Sequence, residues 1–167
     1  AVGLDITDLS NSDIDNYFFS NIDTLVLDME GNVYRNLSVV DLISKENNQS
    51  GEVKYYNESN EFLPLYIDNS RKAIVLPISG KGLWSTLFGY FAIDSNDYST
   101  VKGITFYKHK ETPGLGGEVS KKWFQENFIG KEIYKDNVLH SVKVAKAGYA
   151  DKEGLYEVDG ISGATIT

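Results

Sequence analysis

Residues 73–107 hold the densest apolar block of the chain. Three runs stand out: Ala-Ile-Val-Leu-Pro-Ile at 73–78, Leu-Phe-Gly-Tyr-Phe-Ala-Ile at 87–93 and Val-Lys-Gly-Ile-Thr-Phe-Tyr at 101–107. Each reads as a strand, with Pro77 near the end of the first. The connections between them are a turn-rich corner at 79–84, Ser-Gly-Lys-Gly-Leu-Trp, and a polar stretch at 94–100. Strands joined this closely pair antiparallel, so the block predicts the centre of a sheet.

The remaining segments read as follows. Residues 1–23 are rich in Asp, Asn and Ser, and predict a loose start with a short helix near 13–20. Residues 24–28 read as a strand, Glu30-Gly31-Asn32 as a turn, and 33–35 as a returning strand. The run from Val39 to Ile43 is too short to assign to strand or helix. Residues 44–61 read as a solvated loop, and apolar character resumes at 62–67. Three glycines, Gly114, Gly116 and Gly117, fall within four positions and imply a special backbone path. Ser120 is a candidate cap for a helix running to Phe128, with Gly130 where it would stop. Residues 140–147 alternate polar and apolar, as a half-buried strand does. The fold class expected is α+β: a twisted, mostly antiparallel sheet with a few packed helices, in a single domain spanning 1–167.

Composition narrows the function. A net charge of −8 disfavours nucleic acid and anionic lipid surfaces as partners. With no cysteine, thiol nucleophiles, disulfides and iron–sulfur ligation are excluded. His109 and His140 stand alone, without a carboxylate partner at metal spacing, so no metal site is expected. No apolar run is long enough to span a membrane.

The end of the chain, Asp159-Gly160-Ile161-Ser162-Gly163-Ala164-Thr165-Ile166-Thr167, combines small residues with hydroxyls. Amide N–H groups and hydroxyls donate to a phosphate, and no bulky side chain blocks its approach. Ser162-Gly163-Ala164-Thr165 resembles the Ser/Thr-Gly-Ala-Thr motif of covalent flavoproteins, and Asp159 matches the acidic residue before it. Two further blocks strengthen the resemblance. Residues 79–86, Ser-Gly-Lys-Gly-Leu-Trp-Ser-Thr, and residues 110–117, Lys-Glu-Thr-Pro-Gly-Leu-Gly-Gly, resemble signatures of the NqrC family, the flavin-bearing subunits of sodium-translocating NADH:quinone reductases. The related G subunits of Rnf complexes share the second block and the flavin motif.

That resemblance implies an FMN joined through its phosphate to Thr165 by a separate Mg²⁺-dependent flavin transferase, with Ser162, Gly163 and Ala164 beside the phosphate. It places the loop 112–117 against the isoalloxazine ring: Thr112 as a hydrogen-bond donor, Gly114 and Gly116 for close approach, and Leu115 as cover. Trp84 either closes another side of the ring or packs in the core, and Lys81 either stabilises a reduced, anionic flavin or is a solvated surface lysine. The chain would then be an electron-transfer domain. It would serve an oxidoreductase complex of a bacterial inner membrane, on the periplasmic side, without turnover of its own. The family's N-terminal membrane helix has no counterpart in this sequence, so the resemblance implies an extracytoplasmic portion of an anchored protein whose partners are the other subunits of the complex. The alternatives are the homologous domain of an Rnf-type complex and a non-redox module whose glycine loop shapes a peptide- or ligand-binding surface.

Overall fold

A computed structural model describes residues 8–151 and 153–164; Thr165 and Thr167 lie outside them. Helix α1 spans Asn11–Asn21. Its capping box is local: the Asp13 amide donates to Ser10 Oγ at 3.2 Å, and the Ser10 amide donates to the Asp13 carboxylate at 3.0 Å. Bonding to Ser10 also holds the Asp13 carboxyl below its usual range. Strand β1 (Ile22–Asp28) follows directly, and the turn after it closes on the Asp28 carboxylate, which accepts from the amides of Glu30 and Asn32. The expected returning strand at 33–35 is reduced to one bridge, Leu27 to Val33.

Seven strands make one antiparallel sheet. After β1 come β2 (Ile43–Glu46), β3 (Val53–Asn57), β4 (Asn60–Asp68), β5 (Ala73–Lys81), β6 (Thr86–Asp94) and β7 (Val101–Lys108). Strand β4 is paired with β1 along Phe62–Asp68. Its other edge is shared: β3 takes Asn60–Phe62 and β5 takes Tyr66–Asp68. From Leu76 onward β5 is therefore paired with β6 alone, so Pro77 lies mid-strand where β4 has already departed.

Several expectations are corrected here. Residues 44–61 are not a loop; they hold β2, β3 and the start of β4. Pairing to β4 recruits a polar segment whose own pattern carries no strand signal, and all four residues of β2 are exposed as befits an edge. The corner after β5 begins at Gly82, because Ser79, Gly80 and Lys81 still pair with β6. The helix from Ser120 to Phe128 is broken into a 3₁₀ turn (Gly116–Ser120), a short α2 (Lys122–Gln125) and a second 3₁₀ turn (Glu126–Phe128). Ser120 does not cap it; its hydroxyl donates back to Gly117 O. Hairpin strands β8 (Tyr134–Lys135) and β9 (Val138–Leu139) follow. The strand expected at 140–147 shrinks to β10 (Lys143–Ala145), which pairs parallel with β11 (Glu157–Asp159).

The two faces of the central strands differ. On one, Phe91, Ile104 and Phe106 pack with Phe124, Phe128 and Val158, so the segments after β7 cover this face and form its core. Residues one position out of phase point the other way. There Tyr66 meets Tyr90 edge-on at 6.0 Å between centroids, and Tyr90 stacks on Tyr107 at 5.4 Å. Burial pushes the Tyr90 hydroxyl up to about 12 and raises Tyr55 and Tyr66 in the same direction. No helix of the described residues is long and apolar enough to cross a membrane.

Candidate functional site

Three segments far apart in sequence meet beside the end of β7. The first is the corner Gly82–Ser85 between β5 and β6, closed by Gly82 N–H donating to Ser85 O at 2.8 Å. The second is the glycine loop. Thr112 O accepts from the amides of Leu115 at 3.1 Å and Gly117 at 2.9 Å, which winds the chain tightly around it. Gly114 turns with φ of 75°, where a side chain would strain the backbone. Thr112 O also explains Gly117, because a Cβ there would sit 3.0 Å from it. The third segment is the turn after β11, in which Ala164 N–H donates to Ile161 O at 3.1 Å with Gly163 at φ of 77°.

Together they line a pocket of about 160 Å³ formed by Leu83, Trp84, Glu111, Thr112, Leu115, Gly116, Gly163 and Ala164. Gly163 lies so close to the loop that a Cβ would approach Leu115 Cδ2 to 3.1 Å. Trp84 is 68% exposed, Leu83 55% and Leu115 43%, so the rim is apolar and open to solvent. Trp84 is thus not a core residue. A volume well under the ~300–1,000 Å³ of an enclosing ligand site takes the edge of a large flat ligand rather than the whole of it.

Six residues singled out from the sequence come together here: Trp84, Thr112, Leu115, Gly116, Gly163 and Ala164. Gly114 lies outside the lining, its amide bonded to Glu118 Oε1, and Ser162 stands exposed in the turn. Lys81 is drawn away: its Nζ donates to Asn48 O at 3.0 Å, across to the connection between β2 and β3. Thr165, the implied attachment point, follows Ala164 directly but is outside the described residues. Asp159 Oδ1 accepts from the amides of Gly148 at 2.8 Å and Ala150 at 3.0 Å, anchoring the strand end from which the turn departs. Behind it a second hollow of about 360 Å³ is lined by Trp123, Lys131, Glu157 and Asp159 among others.

Glu111 is a site residue with no role among the sequence-based expectations. Its side chain is only 8% exposed, and its carboxylate accepts from the amides of Leu83, Trp84 and Ser85. The available signal was an acidic residue between a strand and a glycine loop, opposite a corner with no partners for its own amides.

An open apolar rim beside a small-residue turn is what a flavin needs, since its ring is flat and largely apolar and its phosphate tail is anionic. The residues present fit that group. Residues 82–167 match the family model of the FMN-binding domain, and the chain belongs to that family. Among named relatives it is 45% identical over 94 residues to the C-type subunit (NqrC) of the Na(+)-translocating NADH-quinone reductase of Vibrio alginolyticus, a match covering 56% of this chain and 36% of the relative. Against the same protein of Vibrio vulnificus (strain YJ016) it is 38% identical over 121 residues, covering 71% and 47%. The chain thus spans less than half the length of these curated relatives. The fold matches the crystal structure of the equivalent reductase protein from Parabacteroides distasonis ATCC 8503 with a TM-score of 0.72 at 28% identity, over 95% of this chain and 74% of that one. It also matches NqrC of Shewanella oneidensis with a TM-score of 0.71 at 23% identity, over 98% and 80%.

Proposed function

We propose that this chain is the flavin-carrying electron-transfer domain of a sodium-translocating NADH:quinone reductase, with FMN esterified through its phosphate to Thr165. One observation carries the reading: Leu83 and Trp84, Thr112, Leu115 and Gly116, and Gly163 and Ala164 converge on a single pocket, and Thr165 is the next residue along the chain. FMN supplies one- and two-electron chemistry when bound.

The chain's own residues bind, orient and expose. Leu83, Trp84 and Leu115 give the ring apolar contact while remaining open to solvent. Gly116 and Gly163 let the backbone approach without a side chain between. Thr112, through its hydroxyl, is the donor for a ring carbonyl. Ser162, with the amides of Gly163 and Ala164, is the donor set for the phosphate. A tether spares the site from holding the cofactor by contacts alone, so the pocket can stay shallow and accessible to redox partners. Those partners are the other subunits of a membrane complex on the periplasmic side, and a Mg²⁺-dependent flavin transferase installs the group on a folded domain.

The test is intact mass after co-expression with such a transferase. The expected result is a gain of one FMN less one water, lost completely in Thr165→Ala and retained in Ser162→Ala at reduced yield. Flavin retained covalently in Thr165→Ala would move the attachment elsewhere, and no gain in the unsubstituted chain would sink the reading.

A further inference from the structure

Glu111 does more at this site than fill space. Its Oε2 accepts from Leu83 N at 3.2 Å, and its Oε1 accepts from Trp84 N and Ser85 N at 3.0 Å each. Three successive amides converging on one acceptor make a concavity of the kind that binds anions, here filled by the protein's own carboxylate. Two glycines make the room. A Cβ on Gly82 would lie 2.5 Å from Oε1, and one on Gly116 would lie 3.0 Å from Oε2. Ser85 closes the arrangement: its carbonyl accepts from Gly82 N, and its hydroxyl accepts from Lys110 N at 2.7 Å. Residues 82–85 belong to neither strand nor helix, so these bonds fix a backbone that nothing periodic supports. The side chains they present are Leu83 and Trp84, the apolar rim of the pocket, and Glu111 itself lines its wall.

We infer that Glu111 is a positioning residue for the flavin: its carboxylate holds the corner that offers Leu83 and Trp84 to the ring, and its charge, lying against the pocket, opposes added electron density there. This rests on the flavin reading above. Holding the corner in one conformation removes the cost of ordering it when the ring arrives. A fixed negative charge in the pocket wall disfavours a second one nearby, so the flavin is reduced at a lower potential than it would be without Glu111.

Glu111→Gln and Glu111→Ala test this beside the unsubstituted chain, all co-expressed with a flavin transferase. In flavin-free protein, amide hydrogen exchange at Leu83, Trp84 and Ser85 is expected to speed up at least tenfold in Glu111→Ala. Glu111→Gln keeps one acceptor and is expected to free Leu83 first, with β6 amides unchanged in both. In loaded protein the flavin midpoint potential is expected to rise in both variants; a purely structural part for Glu111 would lower the loaded fraction without moving the potential. Glu111→Gln keeps the side chain's shape and carries the test if Glu111→Ala does not fold. Failure of Glu111→Gln to load, with fast corner exchange, supports the clamp. Unchanged exchange, or an unchanged potential in loaded Glu111→Gln, overturns the inference. An unsubstituted chain that never loads sinks the flavin reading instead.

Discussion

Among the described residues two carboxylates are withdrawn from solvent, and they serve different ends. Asp68, at the end of β4, is fully buried and accepts from Tyr17 OH at 2.8 Å, Ser70 Oγ at 2.8 Å and Arg71 N at 3.0 Å. Its partners come from helix α1 and from the turn between β4 and β5, so it fastens one regular element to another. Glu111 binds three amides of a corner that has no regular structure. The first joins pieces whose shape is already set by periodicity; the second supplies the shape itself. Losing Asp68 is therefore a loss of stability, and losing Glu111 is a loss of form at one place.

That contrast can be broken most directly at Asp68. Asp68→Ala removes the buried acceptor shared by the half-buried Tyr17 hydroxyl, the Ser70 hydroxyl and the Arg71 amide, and is expected to cost about 2–4 kcal/mol of global stability. Urea unfolding measures it, and a loss below about 1 kcal/mol would make the two carboxylates equivalent. Gly82→Ala is expected to cost less, about 1–3 kcal/mol as overpacking, because the new Cβ meets Glu111 Oε1 at 2.5 Å and Ser85 O at 2.9 Å. Its main effect is on flavin loading, which should fall further than the melting temperature suggests. Tyr17→Phe removes one donor from the Asp68 network and is expected to cost about 1 kcal/mol, with flavin loading unaffected.

A fourth expectation concerns pH and the aromatic face. Tyr90 is pushed up to about 12 by burial first and by its tyrosine neighbours second. An acid raised in the folded state contributes stability that is whole below its unfolded value near 10, and that is lost as pH climbs through the folded one. Unfolding by urea should therefore become easier between about pH 10 and 12, and Tyr90→Phe should blunt that decline. The smallest effect is expected at Lys122 and Glu126, 3.6 Å apart on an exposed turn: Lys122→Ala should leave the urea midpoint where it is.

The sequence spoke clearly where a local pattern and its tertiary use agree. Runs 73–78, 87–93 and 101–107 became the cores of β5, β6 and β7, and the turn at Glu30–Asn32 closed where its residues indicated. Strands β2 and β3 were illegible because their pairing partner, and not their own alternation, makes them strands. Helical spacing at 123–128 was real, since Phe124 and Phe128 stack edge-on at 5.5 Å in the core, yet the glycine loop before it leaves no full helix start. At the site, glycines and hydroxyls announce themselves through backbone geometry. Gly163 is legible in that way, whereas Trp84 and Leu115 are legible only through the resemblance carried by residues 79–86 and 110–117. Glu111 gave no comparable sign, because its partners are amides some 26 to 28 residues back, and amides are invisible in a sequence.

The filled corner also bears on which way round an anionic ligand would lie. Amides at 83–85 that would welcome an anion are already spoken for by Glu111, and a like charge waits behind them. On the flavin reading proposed above, a phosphate tail would be turned away from that end and toward the hydroxyl-bearing turn at Ser162–Ala164, which would leave the corner to the uncharged ring. Head and tail of such a cofactor would then be sorted by repulsion at one rim as much as by attraction at the other.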